Sequence, residues 1–316
     1  MARHWQPTAT REMLELRAHL YEKIRLFFKT RHVLEVETPI LSQAAVPTPM
    51  IEPLHTLYNG TQRLFLHTSP ELPMKRLLAK GYGSMYQITK VFRDGEQGRW
   101  HHPEFTLLEW YRVGFKQQDL IDEVSELLQT LLDCQPVEIV SYPELFMQYT
   151  QLHPLSCDLT ELQNYLIQFH VVNPQQYDRD TCLQLIMSHR IEPKLGHEKP
   201  TVVTDFPSSQ AALARKREDR PELAERFECY VRGVELANGF YELADAEEQR
   251  SRFEQEQAER KRLNMAIYPL DENFLAALEA GFPLCSGIAL GIDRLLMLLA
   301  NANHINEVLS FSIENG

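Results

Sequence analysis

Basic residues are scarce in this 316-residue sequence, where 32 lysines and arginines face 44 aspartates and glutamates, for a net charge of −12. An acidic surface repels a phosphate backbone unless basic residues gather on one face, and no basic run appears, so bulk nucleic-acid binding is disfavoured. The five cysteines form no Cys-x-x-Cys pair. This argues against a disulfide framework or zinc knuckle and predicts reduced, buried thiols.

Targeting and membrane segments are missing as well. Residues 1–5 lack the apolar stretch of a signal peptide, and no window approaches the apolar length needed to cross a bilayer. We therefore expect a cytoplasmic protein with no membrane partner. A hydrophobic content of 44% is enough to bury a sizeable core, so a folded globular protein is predicted.

Helical spacing of apolar residues predicts a long first helix. Thr10 is a candidate N-cap, and one apolar stripe follows it at spacings of three and four, formed by Met13, Leu16, Leu20, Ile24 and Phe27. Residues 33–37 then resemble a strand, which Thr38-Pro39 closes because proline cannot continue backbone pairing.

Strand and helix patterns alternate along the rest of the chain. Strands are predicted over residues 64–67, 85–92, 104–113, 226–243 and 285–290, and helices over residues 120–131, 247–262 and 293–299. Gly233 is the expected turn within the fourth strand segment, and residues 136–200 indicate mixed helices and loops. The charged helix predicts a solvated face with two i,i+4 pairs, Glu248–Arg252 and Glu256–Arg260.

Two segments combine an arginine with groups suited to a nucleotide. Residues 91–106, VFRDGEQGRWHHPEFT, place Arg93 at a strand end, where its planar fork of donors suits a phosphate, and Phe105 can stack on a purine. Residues 287–294, GIALGIDR, place small residues before Arg294, so that a nucleotide can approach the backbone.

Together with VETP at residues 36–39, these segments resemble motifs 1, 2 and 3 of class II aminoacyl-tRNA synthetases, in the right order. The resemblance covers nearly the whole chain. It implies an α+β fold, the class II catalytic domain with a mostly antiparallel β-sheet flanked by helices, as a single domain over residues 1–316. Motif 1 further implies a homodimer.

The resemblance also implies ATP and Mg²⁺ as cofactors. The position of Arg93 holds the α-phosphate in the family and that of Arg294 meets the γ-phosphate, so these are the candidate catalytic residues. Other implied ATP contacts are Asp94, Gly95, His102, Phe105, Glu235, Leu236 and Gly291. Glu228 and Glu235 would hold Mg²⁺, since hard carboxylate oxygens suit this ion.

Two departures from the family pattern lie in the second motif. The family usually has Asn-Glu after the arginine, whereas Asp94-Gly95-Glu96 displaces the acid by one position. The contact of that acid to the adenine side of ATP is therefore open. His102 stands where an asparagine is usual, and a neutral imidazole can still donate a hydrogen bond to a phosphate or ribose.

The string RFECYVRGVELANGFYEL at residues 226–243 is very similar to that of lysyl-tRNA synthetases. Asn238, Phe240 and Glu242 alternate on one strand face and can line a pocket in which the Glu242 carboxylate pairs with a side-chain ammonium. Glu235 is out of phase with them unless a bulge near Ala237 restores it. Further substrate contacts, implied by the resemblance or by a shared strand face, are Ser69, Pro70, Glu71, Tyr111 and Glu109.

Motif 1 begins almost at once, where a lysyl-tRNA synthetase first has an anticodon-binding domain. With the acidic charge this points away from tRNA, toward the truncated lysyl-tRNA synthetase paralogues that attach (R)-β-lysine to a lysine of elongation factor P. Ala289 agrees, because lysyl-tRNA synthetases have glycine there. Its methyl would crowd an α-amino group and favour an amine one carbon further along. We therefore expect an ATP-dependent ligase with β-lysine and elongation factor P as partners.

Two alternatives stay open at this level. One is a class II enzyme that aminoacylates tRNA or a small molecule, as asparagine synthetases on this fold do; Glu242 and Tyr111 argue against an aspartate pocket. The other is a non-catalytic regulatory paralogue, which would have no need to retain its ATP-site residues, Arg93, Glu228, Glu235 and Arg294.

Overall fold

The computed structural model describes residues 5–313, and its contacts divide the chain into two compact units. The first unit contains the residues up to Phe115 and those from Ala244 onward, and the second is Lys116–Leu243. The expected α+β architecture, with mostly antiparallel strands flanked by helices, is confirmed. Within residues 5–313, no helix has both the length and the apolar character to cross a bilayer.

The first unit opens with the predicted long helix. Thr10 caps α1 (Arg11–Thr30) by accepting a 3.3 Å hydrogen bond from a backbone N–H of the first turn. Leu20, Ile24 and Phe27 of the predicted stripe are buried. The strand expected over residues 33–37 contracts to two residues. The next elements are β1 (Leu34–Glu35), β2 (Leu41–Ser42), β3 (His55–Tyr58), β4 (Gln62–Leu66), α2 (Glu71–Ala79), β5 (Met85–Phe92) and β6 (Glu104–Val113).

The second unit contains residues 136–200, the segment of mixed helices and loops, and the hairpin that follows it. Its elements are α3 (Gln117–Leu132), β7 (Glu138–Ser141), α4 (Tyr142–Thr150), α5 (Leu159–Ile167), α6 (Arg179–Ile186), β8 (Thr201–Thr204), β9 (Phe206–Pro207), β10 (Leu223–Ala224), β11 (Arg226–Val231) and β12 (Val234–Tyr241). Short 3₁₀ turns and one π turn, Met187–Ile191, join them. Buried side chains such as Phe146, Leu183 and Tyr230 give this unit its own hydrophobic core.

The chain then returns to the first unit with α7 (Ala246–Arg262), α8 (Glu272–Glu279), β13 (Cys285–Gly291) and α9 (Ile292–Ala300). On α7 the predicted Glu248–Arg252 pair is confirmed, at 2.6 Å. The predicted Glu256–Arg260 pair is wrong. Arg260 is fully buried, and its Nη2 lies 2.7 Å from Oε2 of Glu52 instead. Glu52 belongs to a segment far away in sequence, so helical spacing could not predict this partner.

Sheet register places small residues opposite functional ones. The strands are ordered β1-β5-β6-β13 in the first unit and β12-β11-β8-β7 in the second, and within these runs only β1–β5 and β7–β8 are parallel. In the β6–β13 ladder Ala289 stands opposite Glu109, and Gly287 stands opposite Tyr111. Directly opposite residues share a sheet face, so the methyl of Ala289 and the Glu109 carboxyl lie side by side.

The five cysteines are free thiols, as predicted. Cys182, Cys229 and Cys285 are buried, whereas Cys134 and Cys157 are only half-buried. Burial raises the pKa of the Cys229 thiol to about 12, so this group stays protonated and unreactive at neutral pH.

Candidate active site

Arg93 lies just beyond β5 with its guanidinium over the ring of Phe105. Its Cζ is 4.9 Å from the ring centroid, its Nε donates to Thr68 O at 3.4 Å, and its Nη1 is 3.5 Å from Glu96 Oε1. These hydrogen bonds are long and therefore weak, and 24% of the side chain is exposed. The guanidinium is thus oriented by the protein yet accessible to a phosphate. The acid displaced by one position, Glu96, reaches back to this arginine.

Arg294 contacts the same connection between β5 and β6. Its Nη2 donates to His101 Nε2 at 2.9 Å, and its Nε is 3.4 Å from Trp100 O. The structure thus brings Arg93 and Arg294 to one loop, at Glu96 for the first and at Trp100 and His101 for the second. Two guanidiniums beside one loop make a site suited to a polyphosphate.

Asp293 anchors the start of α9, although the sequence analysis did not single it out. Its carboxylate is 2.5 Å from Arg17 Nη2 and accepts from Thr106 N at 2.6 Å, and the side chain is buried. These bonds tie α1, β6 and α9 together immediately before Arg294. The available signal was its place inside GIDR, between Ile292 and Arg294 at the start of an apolar helix.

His102 and Asp94 are both engaged by backbone groups. His102 Nε2 accepts from Ile313 N at 3.0 Å, and Nδ1 lies 2.6 Å from Glu104 O and 3.2 Å from Glu104 N. An ATP contact of the ring would replace one of these bonds. Asp94 accepts from Gly95 N at 2.9 Å, and Gly95 has a φ of +75°, which suits glycine. Their ATP contacts stay predictions.

The predicted amine-binding residues of the first unit form a mostly buried polar group. Ser69 Oγ accepts from Glu71 N, the first amide of α2, at 2.9 Å. Glu71 in turn accepts from Lys75 Nζ at 2.6 Å. Pro70 lies between the two contact residues as the N-cap. Ser69 also borders a cavity of about 640 Å³ in this unit.

Glu109 is the most perturbed carboxyl of this group. Burial, with added repulsion from Glu71, raises its pKa to about 8, against the opposing effects of the Tyr111 hydrogen bond and the Lys75 charge. The Tyr111 hydroxyl donates to Glu109 Oε1 at 2.7 Å, whereas Oε2 accepts no hydrogen bond within the described chain. At neutral pH the raised pKa favours the protonated form of Glu109, and because Oε1 accepts from Tyr111, the proton lies on Oε2, which can donate to an incoming acceptor.

In the second unit, the β11–β12 hairpin carries the lysine-type residues. Cys229 pairs with Ala237 but Tyr230 pairs with Glu235, so Leu236 is an extra residue on β12. This β-bulge lies next to Ala237, at the place where a bulge can bring Glu235 into phase. Because Glu235 and Asn238 now oppose two residues of β11 that share a face, they share a face themselves. The bulge thus restores the phase of Glu235.

The same hairpin has residues that fit a divalent cation. Glu228 pairs with Arg226 through Oε1 and accepts from the Tyr230 hydroxyl through Oε2. Burial raises the pKa of Glu228; the charge of Arg226 opposes this shift and that of Glu235 adds to it. In residues 5–313 no cluster of three or more ligating side chains occurs. Two neighbouring carboxylates still fit Mg²⁺, which binds through one or two carboxylates together with substrate phosphates.

The remaining predicted pocket residues of the second unit are largely buried. Glu242 is buried, and Asn238 Oδ1 accepts no hydrogen bond from the residues that the structure describes. The Phe240 ring packs against Ala211, Ala214 and Ala224. A buried acceptor oxygen without a donor is costly unless a ligand or water fills the role.

Comparisons with known proteins bear on this arrangement. Residues 3–315 match the family described as tRNA synthetases class II (D, K and N). The chain is 48% identical over 324 residues to an elongation factor P–(R)-β-lysine ligase of Avibacterium paragallinarum, covering 100% of both chains. It is 47% identical to that of Pasteurella multocida (strain Pm70), covering 99% of this chain and 98% of the relative. For Salmonella arizonae the identity is 46%, with 98% of each chain covered.

Proposed function

Since the chain belongs to the class II tRNA synthetase family, in the branch of the elongation factor P–(R)-β-lysine ligases, we propose that it is an ATP-dependent ligase joining (R)-β-lysine to a lysine side chain of elongation factor P. The reaction has two halves: formation of the β-lysyl adenylate with release of pyrophosphate, then transfer of the acyl group to an amine with release of AMP. The observation that carries the proposal is the presence of Arg93 and Arg294 at one loop.

In the first half the β-lysine carboxylate attacks the α-phosphorus in line, and negative charge accumulates on the phosphates. Arg93 at the α-phosphate and Arg294 at the γ-phosphate would offset that charge from fixed positions. The ring of Phe105 offers adenine a stacking surface. No general base is required, because the attacking carboxylate is ionised at neutral pH. By resemblance, the remaining ATP contacts are Asp94, Gly95, His102, Glu235, Leu236 and Gly291.

ATP-dependent ligases of the class II synthetase type use ATP and a divalent metal. We assign Mg²⁺ to Glu228 and Glu235. When bound there, the ion would neutralise phosphate charge. The protein's own part is to hold the Glu228 carboxylate, through Arg226 and Tyr230, in an orientation that leaves lone pairs free.

The substrate carries two ammonium groups. Glu71, with Ser69 and Pro70, is the proposed site for the amine near the reacting carboxylate, and Ala289 restricts where that amine lies. Glu242 is proposed for the side-chain ammonium. The other proposed substrate contacts are Glu109, Tyr111, Asn238 and Phe240.

In the second half, an acceptor lysine amine of elongation factor P attacks the mixed anhydride. A free lysine amine has a pKa of about 10.4, so it must lose a proton before it attacks. AMP then leaves, and an amide replaces the anhydride. We assign no residue of this chain to that proton.

We also propose that a second copy of the chain is a partner, whereas tRNA is not. The support for this second copy is the resemblance of residues 36–39, after α1, to motif 1. The family match spans both compact units, which supports treating residues 1–316 as one catalytic domain. The cytoplasm is the proposed compartment because the partner is a translation factor.

The test is incubation of the purified protein with ATP, (R)-β-lysine and elongation factor P, followed by intact-mass measurement of the elongation factor. A mass gain of one β-lysyl group is expected, and its absence would refute the proposal. ATP–pyrophosphate exchange with β-lysine, α-lysine and aspartate in parallel separates the alternatives. Exchange with aspartate alone would indicate a different class II ligase, and no exchange with any would indicate a non-catalytic paralogue.

A further inference from the structure

Arg260 is a fully buried arginine that joins three segments of the first unit. Its Nε donates to Ala266 O at 2.5 Å, its Nη1 to Thr48 O at 3.0 Å, and its Nη2 to Glu52 Oε2 at 2.7 Å. The guanidinium also lies 4.4 Å from the centroid of the Tyr268 ring. Helix α7 is thus tied to the segment 48–52 and to the loop that follows the helix.

Tyr268 completes this arrangement around Glu52. Its hydroxyl donates to Glu52 Oε1, so both carboxylate oxygens of Glu52 are held, one by Arg260 and one by Tyr268. Burial, together with the Glu52 hydrogen bond, raises the pKa of Tyr268 to about 12, and the hydroxyl remains a donor throughout the neutral range. Edge-on contact with Phe65, at 5.0 Å between ring centroids, fixes the Tyr268 ring in turn.

The segment held in this way is hydrogen-bonded to the residue after Arg93. Asp94 N donates to Glu52 O at 2.7 Å, and the two residues form an isolated antiparallel bridge. The two preceding N–H groups are also bonded, Arg93 N to Pro103 O at 2.9 Å and Phe92 N to His67 O at 3.0 Å. Hydrogen bonds from three consecutive amides therefore fix the backbone position of Arg93. The bond to Glu52 is the one downstream of Arg93, where the chain enters its loop.

A buried guanidinium is costly to desolvate, and its hydrogen bonds offset that cost only when the geometry is good. An apolar residue could fill the same volume, whereas only arginine offers a rigid fork that reaches three acceptors on two other segments. The arrangement thus favours a role in position rather than in bulk stability. Displacing a reacting group by about 1 Å can lower a rate by about 100-fold, so position at Arg93 has a functional consequence.

We propose that Arg260 is a positioning residue for the ATP site, acting through Glu52 and the Asp94 backbone to keep the Arg93 guanidinium over Phe105, where the α-phosphate binds. This inference rests on the proposed function, since it concerns the same nucleotide site. Arg260 touches no reacting atom itself. Its removal should therefore weaken ATP binding while leaving the amino-acid pocket intact.

The experiment measures ATP–pyrophosphate exchange with (R)-β-lysine, and determines KM for each substrate separately. The variants are Arg260→Met, the conservative Arg260→Lys, and Tyr268→Phe, which removes only the hydroxyl that holds Glu52. Arg262→Met is the matched control, because this arginine lies two residues away on α7 and pairs with Glu259 at the surface. Calorimetric binding of a non-hydrolysable ATP analogue to each variant gives a readout that does not depend on turnover.

Arg260→Met and Tyr268→Phe should raise KM for ATP by about tenfold, as for loss of a hydrogen bond to a charged group, with KM for β-lysine within about twofold. The KM for ATP of Arg260→Lys should lie between those of these two variants and that of the parent protein. The KM for ATP of Arg262→Met should equal that of the parent. Combining Tyr268→Phe with Arg93→Ala should weaken analogue binding no further than Arg93→Ala alone, an outcome that a merely structural role would not give.

Unchanged ATP KM in folded Arg260→Met and Tyr268→Phe, or equal increases for both substrates, would overturn the inference. If Arg260→Met does not fold, Tyr268→Phe decides the question, since it deletes a single oxygen. Failure of the proposed function looks different: the parent protein itself would show no β-lysine-dependent exchange. In that case the analogue-binding series still tests whether Arg260 acts on a nucleotide site at Arg93.

Discussion

Lys75 and Glu71 form an ion pair one turn apart on α2, with Nζ 2.6 Å from Oε1 and only 1% and 16% of the two side chains exposed. Lys75 is a buried cation beside the proposed amine-binding carboxylate, with Glu109 close enough that both Lys75 and Glu71 act on its pKa. One cation among these acids holds Glu71 in place. Its removal should change both stability and substrate binding.

Lys75→Met should lower the free energy of unfolding by about 3 kcal/mol, because it leaves a mostly buried carboxylate without its partner. It should also raise KM for β-lysine more than KM for ATP, since Glu71 loses its orientation. Urea unfolding and exchange kinetics measure the two effects. Arg76→Met, at the next and exposed position of α2, is the control and should stay within about 0.5 kcal/mol. Equal losses in both variants would contradict the assignment.

The pKa of Glu109, raised from 4.5 to about 8, predicts a pH dependence of stability. The folded state retains a proton that the unfolded chain releases, so this contribution is complete below the unfolded pKa and is lost as pH rises through the folded value. Between about pH 5 and about pH 8 the unfolding free energy should fall by up to about 1.4 kcal/mol per pH unit. Glu109→Gln, neutral at every pH, should flatten the profile in urea titrations. Parallel profiles for both proteins would show that Glu109 is ionised in the fold.

Arg294→Ala should reduce adenylate formation by at least about 100-fold, because the guanidinium that offsets phosphate charge is lost, while the fold should stay intact. ATP–pyrophosphate exchange measures the loss, and circular dichroism with thermal unfolding checks the fold. Arg262→Ala, a surface arginine paired with Glu259, is the matched control. Undiminished exchange in Arg294→Ala would remove this residue from the ATP site.

Ala289→Gly should shift preference from β-lysine toward α-lysine. Ala289 stands opposite Glu109 in the β6–β13 ladder, and loss of its methyl opens space for an amine one carbon nearer the carboxylate. The ratio of kcat/KM for the two amino acids is the measurement, and one methyl group is worth a change of about tenfold or more. An unaltered ratio would exclude the methyl as the source of selectivity.

Gly196→Ala should destabilise the second unit by a clash with backbone. A Cβ there would lie 2.4 Å from Tyr230 O, on the strand that carries Glu228, and φ is +72°. Gly60 has the same φ with nothing within 4 Å, so Gly60→Ala isolates the conformational cost, about 1–2 kcal/mol. Gly196→Ala should cost clearly more in urea unfolding. Equal costs would mean that β11 shifts freely to accept the methyl.

Much of the architecture follows from local pattern. The α1 stripe, the β6 alternation and the β11–β12 hairpin with its turn at Gly233 are all found where periodicity predicts them, because spacings of 3.6 and 2 are properties of the backbone itself. The strand predicted over residues 33–37 is too long, since the observed strand is Leu34–Glu35. Its length depends on a pairing partner that the local sequence does not specify. The Glu256–Arg260 pair failed for a related reason: i,i+4 spacing permits a contact, but burial of Arg260 gave it a distant acceptor.

The order and spacing of the motifs around Arg93, Glu228 and Arg294 were sufficient, in sequence alone, to indicate the family and the reaction class, because each motif carries its chemistry in adjacent residues. Only the tertiary structure decided which residues hold the site residues in place. Lys75 pairs with Glu71, Asp293 anchors the helix start beside Arg294, and Arg260 pairs with Glu52. Such partners are set by where segments remote in sequence come to lie. Their energies depend on burial, which is a property of the folded molecule and of no single segment.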